Sequence, residues 1–273
     1  MQLSYTLMHG AGNRIAVIDE RSSAREPPSS ATIARLAESG PIEGFDQLMW
    51  LGPATDAALS YRVFNADGSE VEQCGNGVRC VARLLFEDGA SRLVLEGPAG
   101  PVTATLTDDG RIAVDMGCPR FEPDELPFIA EAVATSYELD VQGRTLEVSA
   151  LSMGNPHCVI RVGDVASAPV DSLGPAIERH DRFPARANVG FMAVRDRDQI
   201  DLRVWERGVG ETQACGTGAC AAMVAAHRLG LVDTEVAVRL PGGDLVVSWR
   251  GKAADPVWLA GDAERVSEGS LSI

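Results

Sequence analysis

The chain has 273 residues, 45% of them apolar and 23% charged, and a formal net charge of −15. That balance fits an ordinary globular protein and excludes a disordered or fibrous chain. The acidity, with no Lys/Arg run to offset it, excludes a nucleic acid held by its phosphates, and no run of 18 or more apolar residues is present to span a membrane.

In chain order, His9-Gly10-Ala11-Gly12-Asn13 leads into the apolar run 15–18, with a strand over 16–18. A second strand is predicted at 61–64. The segment Glu70-Val71-Glu72-Gln73-Cys74-Gly75-Asn76-Gly77 then opens a small, apolar, helix-favouring stretch over 78–86. A β-rich run, Leu93-Val94-Leu95, closes at Pro98-Ala99-Gly100, and strands follow at 102–106 and 112–116. Residues 117–128, with Pro119, Pro123 and Pro127, read as a linker.

The same order then recurs, displaced by about 140 residues, as repeat architectures do. Met153-Gly154-Asn155 leads into Cys158-Val159-Ile160, with strands at 159–162 and 202–205. Glu211-Thr212-Gln213-Ala214-Cys215-Gly216-Thr217-Gly218 opens a helix over 219–229. Val236-Ala237-Val238 closes at Pro241-Gly242-Gly243 before a strand at 245–249. Coincidence accounts poorly for four landmarks in one order. Two homologous α+β halves are expected, 1–117 and 118–261, each with several strands and one principal helix, the tail 262–273 packing with the first. Turn spacing favours hairpins and antiparallel sheet over βαβ units, and the ligand is expected in the cleft between the halves.

Residues 1–10 show no basic region leading into an apolar run, so no signal peptide is expected. A cytoplasmic location follows, with the six cysteines reduced. Lys252 is the only lysine and sits in a turn-like segment without a phosphate-cradling loop. A pyridoxal phosphate enzyme needs a lysine for its Schiff base, so no such cofactor is expected.

Each repeated cysteine precedes Gly-x-Gly at the start of a helix. Unpaired N–H groups and partial positive charge at a helix N-terminus favour thiolate. Glycine lets the backbone approach a ligand, so the same N–H groups can hold a carboxylate. Two such segments supply a base for each face of one Cα, and inversion needs a proton removed on one face and delivered on the other. The remaining cysteines, Cys80, Cys118, Cys158 and Cys220, read as small buried hydrophobes. No Cys-x-x-Cys pair is present and no metal site is expected. A simple hairpin turn at Gly75-Asn76-Gly77 would leave the matching Cys-Gly-x-Gly unexplained.

The run Asn65-Ala66-Asp67-Gly68-Ser69 through Cys74-Gly75-Asn76-Gly77-Val78-Arg79-Cys80 resembles the first catalytic motif of diaminopimelate epimerases, and Glu206-Arg207-Gly208 through Cys215-Gly216-Thr217-Gly218-Ala219-Cys220 the second. Asn13, Gln47, Asn155-Pro156-His157 and Asn188 lie in further matching motifs. The resemblance covers nearly the whole chain. It implies halves that each wrap a mostly antiparallel sheet or barrel around a central helix. It also implies a cofactor-independent isomerase that converts LL-2,6-diaminoheptanedioate to the meso form, for lysine and peptidoglycan synthesis. By motif, Cys74 and Cys215 are the acid/base pair. Gly75, Asn76, Gly216 and Thr217 hold the reacting carboxylate. Asn13, Gln47, Asn65, Asn155, Asn188, Glu206 and Arg207 line the remainder, and His157 and Glu206 tune the cysteines. The family also implies a homodimer.

The chain departs from the family pattern at Leu7, Arg14 and Ile15, and Ser267 stands where some relatives carry an aromatic dimer contact. The alternatives are a two-cysteine racemase of another amino acid, a thiol redox protein and an amino-acid-binding module. Catalytic dithiols usually lie close in sequence, unlike Cys74 and Cys215, and a binding module has no need of two matched thiols.

Overall fold

A computed structural model describes residues 2–23, 25–71, 74–86 and 89–273; Met1 and the Glu72-Gln73 pair of the first cysteine motif lie outside the described residues. The chain forms two compact units, Met1–Asp115 with Ala260–Ile273, and Met116–Leu259. Residues 117–128 belong to the second unit, where Leu126 and Phe128 are buried in its core and Arg120 bridges to Ser152. The proline-rich stretch is thus packed chain.

In the first unit, strand Gln2–Gly10 pairs antiparallel with both Asn13–Asp19 and Glu264–Ser272. Asn13–Asp19 runs parallel to Gln47–Gly52, with helix α1 (Ser30–Glu38) between them in sequence. Gln47–Gly52 pairs antiparallel with Leu59–Asn65. That strand takes Glu70–Val71 antiparallel and Arg92–Gly97 parallel, with helix α2 (Gly75–Phe86) between. Hairpins through Gly100–Leu106 to Ile112–Asp115 complete it.

The second unit repeats this plan. Pro156–Arg161 is parallel to Asn188–Asp196 across helix α3 (Val170–Glu178). Gln199–Glu206 pairs antiparallel with Gly210–Thr212 and parallel with Glu235–Leu240 across helix α4 (Gly216–Arg228). Registers match as well as order. Ile15 faces Gln47 as His157 faces Asn188, and Val63 faces Val71 as Val204 faces Thr212. The architecture is α+β in two repeated halves.

Among the described residues each unit adds a short helix, α1 or α3, to the one principal helix expected. Turn spacing favoured hairpins over βαβ units, and the structure corrects that in part: beside its antiparallel pairings each unit contains two parallel pairings bridged by helices. The physical reason lies in the strands themselves. Residues 15–18, 48–51 and 188–193 are buried without alternation, the mark of strands covered on both faces. One cover is the short helix: Ile33 and Leu36 of α1, and Val170, Leu173 and Ile177 of α3, pack into satellite cores. The other is the central helix. Nine residues of α2 and nine of α4 are buried, as expected of a helix enclosed by sheet. The two-residue turns Pro98-Ala99 and Pro241-Gly242 close hairpins in matching places.

Helix α3 approaches its sheet through Gly174, where a Cβ would lie 2.6 Å from Trp205 Cγ and 2.8 Å from Trp205 Cβ. An alanine in an open helical position stabilises by about 1 kcal/mol over glycine. Here the near neighbours are the stem and ring of a large side chain, so overpacking wins. Gly174→Ala should lower unfolding free energy by about 1–3 kcal/mol in urea titration; an equal or more stable variant would show that α3 is not seated on Trp205.

Candidate active site

The expected residues fall into two clusters, one per unit, and each cluster is gathered around the N-terminus of the central helix. In the first unit Cys74 directly precedes α2, and the Gly77 amide donates to its sulfur at 3.1 Å. This is the geometry of a helix cap, with sulfur in place of the usual oxygen. The Cys74 thiol donates to Gln47 Oε1. Gln47 Nε2 donates to Asn65 Oδ1 at 3.1 Å, and Asn65 Nδ2 to Ser69 Oγ at 3.1 Å. That order fixes the amide orientations and turns the Gln47 carbonyl oxygen to the sulfur. On the first turn of α2, Asn76 Nδ2 donates to Asn13 Oδ1 at 2.6 Å, while its own Oδ1 accepts from Arg79 Nη2 at 2.8 Å.

In the second unit Cys215 caps α4 and is buried. Glu206, at the end of strand Gln199–Glu206, accepts from Thr212 Oγ1 at 2.5 Å and from the Cys215 thiol. His157 Nε2 lies 2.9 Å from Asn155 Oδ1, and Asn155 Nδ2 donates to Thr217 Oγ1 at 3.4 Å. Because the Asn155 amide nitrogen is spent on Thr217, its oxygen takes the proton of His157 Nε2. Thr217 Oγ1 stands 3.6 Å from Cys215 Sγ. Asn188 Oδ1 accepts from the Arg207 backbone amide at 2.8 Å, and Arg207 Nη1 donates to Ala185 O at 3.1 Å. Gly75 and Gly216 begin the two helices.

The repeat places these clusters in correspondence, and the correspondence exposes a difference in charge. Gln47 and Asn188 each begin a matched strand, and Asn65 and Glu206 each end one. A neutral amide, that of Gln47, accepts from Cys74, while a carboxylate stands beside Cys215. Burial, and then the Glu206 charge, push the Cys215 thiol well above its ordinary range; Thr217 and the Gly218 amide pull weakly the other way. The Gly218 amide leans toward the sulfur without closing a cap hydrogen bond. Glu206 is itself raised by burial, against hydrogen bonds from Thr212 and Cys215 that lower it. The Cys215 thiol donates to the Glu206 carboxylate.

Two further participants escaped the sequence reading. Arg79 is fully buried and braces Asn76; its signal was a charge near the start of an apolar helical run. Tyr61, on strand Leu59–Asn65, is buried and raised above the ordinary phenol range, first by burial and then by the charge of Cys74. Within a predicted strand nothing marked it.

A family model described as diaminopimelate epimerase matches residues 5–122 and 149–266. The diaminopimelate epimerases of Ectopseudomonas mendocina and Azotobacter vinelandii are 49% and 50% identical to this chain, covering 100% of each sequence and of this one. Among solved structures, a hydroxyproline epimerase from Agrobacterium vitis superposes with a TM-score of 0.70 at 14% identity, covering 99% of this chain and 92% of that one; at that identity the likeness speaks for the fold alone.

His157 supplies a test of the second cluster. Burial, and then the Arg207 charge, lower it from 6.5 to about 3. Between those values the unfolded chain takes up a proton that the folded chain refuses. The stabilisation is present above pH 6.5 and is lost as pH falls toward about 3, at up to about 1.4 kcal/mol per pH unit. Urea unfolding of wild type should therefore weaken more steeply below pH 6.5 than that of His157→Gln, with parallel curves above. Equal slopes would mean that His157 is not held neutral.

Proposed function

This chain belongs to the diaminopimelate epimerase family, and we infer from that premise how its own residues divide the work. It is an isomerase that epimerises diaminopimelate, LL to meso, a step toward lysine. The carrying observation is the pair of matched cysteine sites, alike in helix and glycines but unlike in charge.

The reaction requires one sulfur on each face of the reacting Cα. Starting from the state with a Cys215 thiol, Cys74 as thiolate removes the Cα proton and becomes a thiol. Cys215 delivers its own proton to the opposite face and becomes a thiolate. One thiol and one thiolate are present before and after, so the reverse reaction uses the same groups in exchanged roles. The Cα–H is a very weak acid, and the charge released must be taken up by the substrate carboxylate. Backbone donors at Gly75–Asn76 and Gly216–Thr217 are the groups we assign to that carboxylate. Loss of one such donor typically raises a barrier by about 3 kcal/mol.

Glu206 accepts from the ammonium group of the reacting centre and keeps Cys215 protonated until the carbanion forms. Arg207, with its guanidinium exposed beyond Ala185, takes the far carboxylate by two parallel hydrogen bonds. Asn65, Asn155 and Asn188 supply donors and acceptors for the far amino-acid end, while Asn13 and Gln47 orient Asn76 and Cys74. His157, neutral and donating to Asn155, acts on Cys215 through Asn155 and Thr217. We place the enzyme in the cytoplasm, where thiols stay reduced, and as a homodimer.

Reduced protein incubated with LL-diaminopimelate in D₂O should exchange the Cα proton and yield meso product. Cys74→Ser and Cys215→Ser should each keep the far-UV circular dichroism of the parent and lose at least about 10³-fold in turnover. Substantial turnover in either variant would sink the two-base assignment. Exchange confined to another amino acid would point to a sister racemase, and binding without exchange to a non-catalytic module.

A further inference from the structure

Outside the cysteine clusters, the most heavily engaged buried charge is Glu178, the last residue of α3, with a side chain 2% exposed. Its Oε2 accepts from Trp205 Nε1 at 2.8 Å and its Oε1 from the Gly208 amide at 3.0 Å. Arg186 Nη1 lies 3.7 Å from the same Oε1. Two of these partners, Trp205 and Gly208, bracket the segment that carries Glu206 and Arg207. The segment is a turn in which the Val209 amide donates to Glu206 O at 3.1 Å and Gly208 sits at φ 77. A positive φ at that third position marks a turn requiring glycine there.

Arg207 is consequently held from both sides. Asn188 accepts from its own amide, and Glu178 accepts from the next one. The guanidinium rests on Ala185 O, the residue before Arg186, which adopts the left-handed φ of 58. Non-glycine residues leave that conformation unless something holds them, and the Glu178 carboxylate lies against this one. The first unit has no equivalent: the matching end of α1, at residues 37–38, offers alanine and an exposed glutamate. The device belongs to the turn bearing the arginine.

We propose that Glu178 is a positioning residue for substrate binding: it clamps the Glu206–Gly208 turn and the Ala185 carbonyl, and so aims the Arg207 guanidinium at the far carboxylate. This rests on the epimerase reading above. Glu206 itself is held independently by Thr212, so the chemistry at Cys215 should be spared when the clamp is loosened. Glutamine at 178 keeps one acceptor but turns an amide N–H toward a partner that is also a donor.

The test is a double-mutant cycle of Glu178→Gln with Arg207→Ala, read as KM and kcat for exchange of LL-diaminopimelate in D₂O. E178Q should raise KM by about tenfold, the size of one lost charge-assisted hydrogen bond. Its kcat should stay within about threefold of wild type, with an unchanged pH dependence. In the R207A background the same change should alter KM by less than about twofold, because the aimed group is gone. An unchanged KM in E178Q, a kcat that falls in step with it, or an equal effect in both backgrounds would overturn the proposal. Should E178Q not fold, Glu178→Asp, which keeps the charge on a shorter stem, takes its place in the same cycle. Wild-type protein that fails to exchange the substrate would overturn the epimerase reading itself, a result separate from any of these.

Discussion

Everything in each unit follows from enclosing a helix on all sides. Short side chains let sheet approach a helix closely, and α4 begins with Gly218, Ala219, Cys220, Ala221 and Ala222, all buried. Burial of the helix body has a second consequence at its end. The first amides of a helix lack intrahelical partners, and an enclosed helix cannot leave all of them to bulk water. The cysteine before the helix and a bound carboxylate are natural partners for them. In α2 one of those amides, that of Gly77, already donates to Cys74. The packing constraint and the cap by cysteine are therefore one feature.

The duplication is not exact, and the differences fall around the two sulfurs. The chain breaks the symmetry at matched places: Glu206 for Asn65, Asn188 for Gln47, His157 for Ile15. Of these three changes, the first sets a carboxylate against a sulfur. A carboxylate in a partly buried place is costly unless hydrogen-bonded, and Thr212 and the Cys215 thiol meet that need. The same contacts that satisfy Glu206 keep the thiol protonated.

Much of this was legible in the sequence because it is written twice. The cysteine motifs, the helices after them and the Pro-x-Gly turns stood at a constant displacement, and the folded registers reproduce that displacement. What stayed hidden was tertiary. Helix α1 buries only Ile33 and Leu36, too thin a stripe to read as periodic. Helix α3 carries Gly174 and Pro175 in its middle, both breakers by local rules; the glycine is there for Trp205. The parallel crossovers were missed with the helices that make them. Arg79 and Glu178 are charged, and charge reads as surface until the partners are seen.

The two glycines of the cysteine motifs show how one local pattern serves opposite ends. A Cβ at Gly77 would lie 3.2 Å from Cys74 Sγ and 2.5 Å from Met49 Sδ, and one at Gly218 would lie 3.2 Å from Cys215 Sγ and 3.0 Å from Val204 Cγ2. In both motifs the third position after the cysteine must be bare for the helix to begin against the sulfur. From that shared start the outcomes diverge. Gly77 completes its hydrogen bond to sulfur, while the Cys74 thiol itself donates to the neutral Gln47 carbonyl oxygen. Gly218 closes no cap hydrogen bond, and the Cys215 thiol donates to the Glu206 carboxylate. The glycine sets how close backbone and sulfur can come. The acceptor of each thiol then differs: for Cys74 it is the Gln47 carbonyl oxygen, oriented by Asn65, and for Cys215 the Glu206 carboxylate.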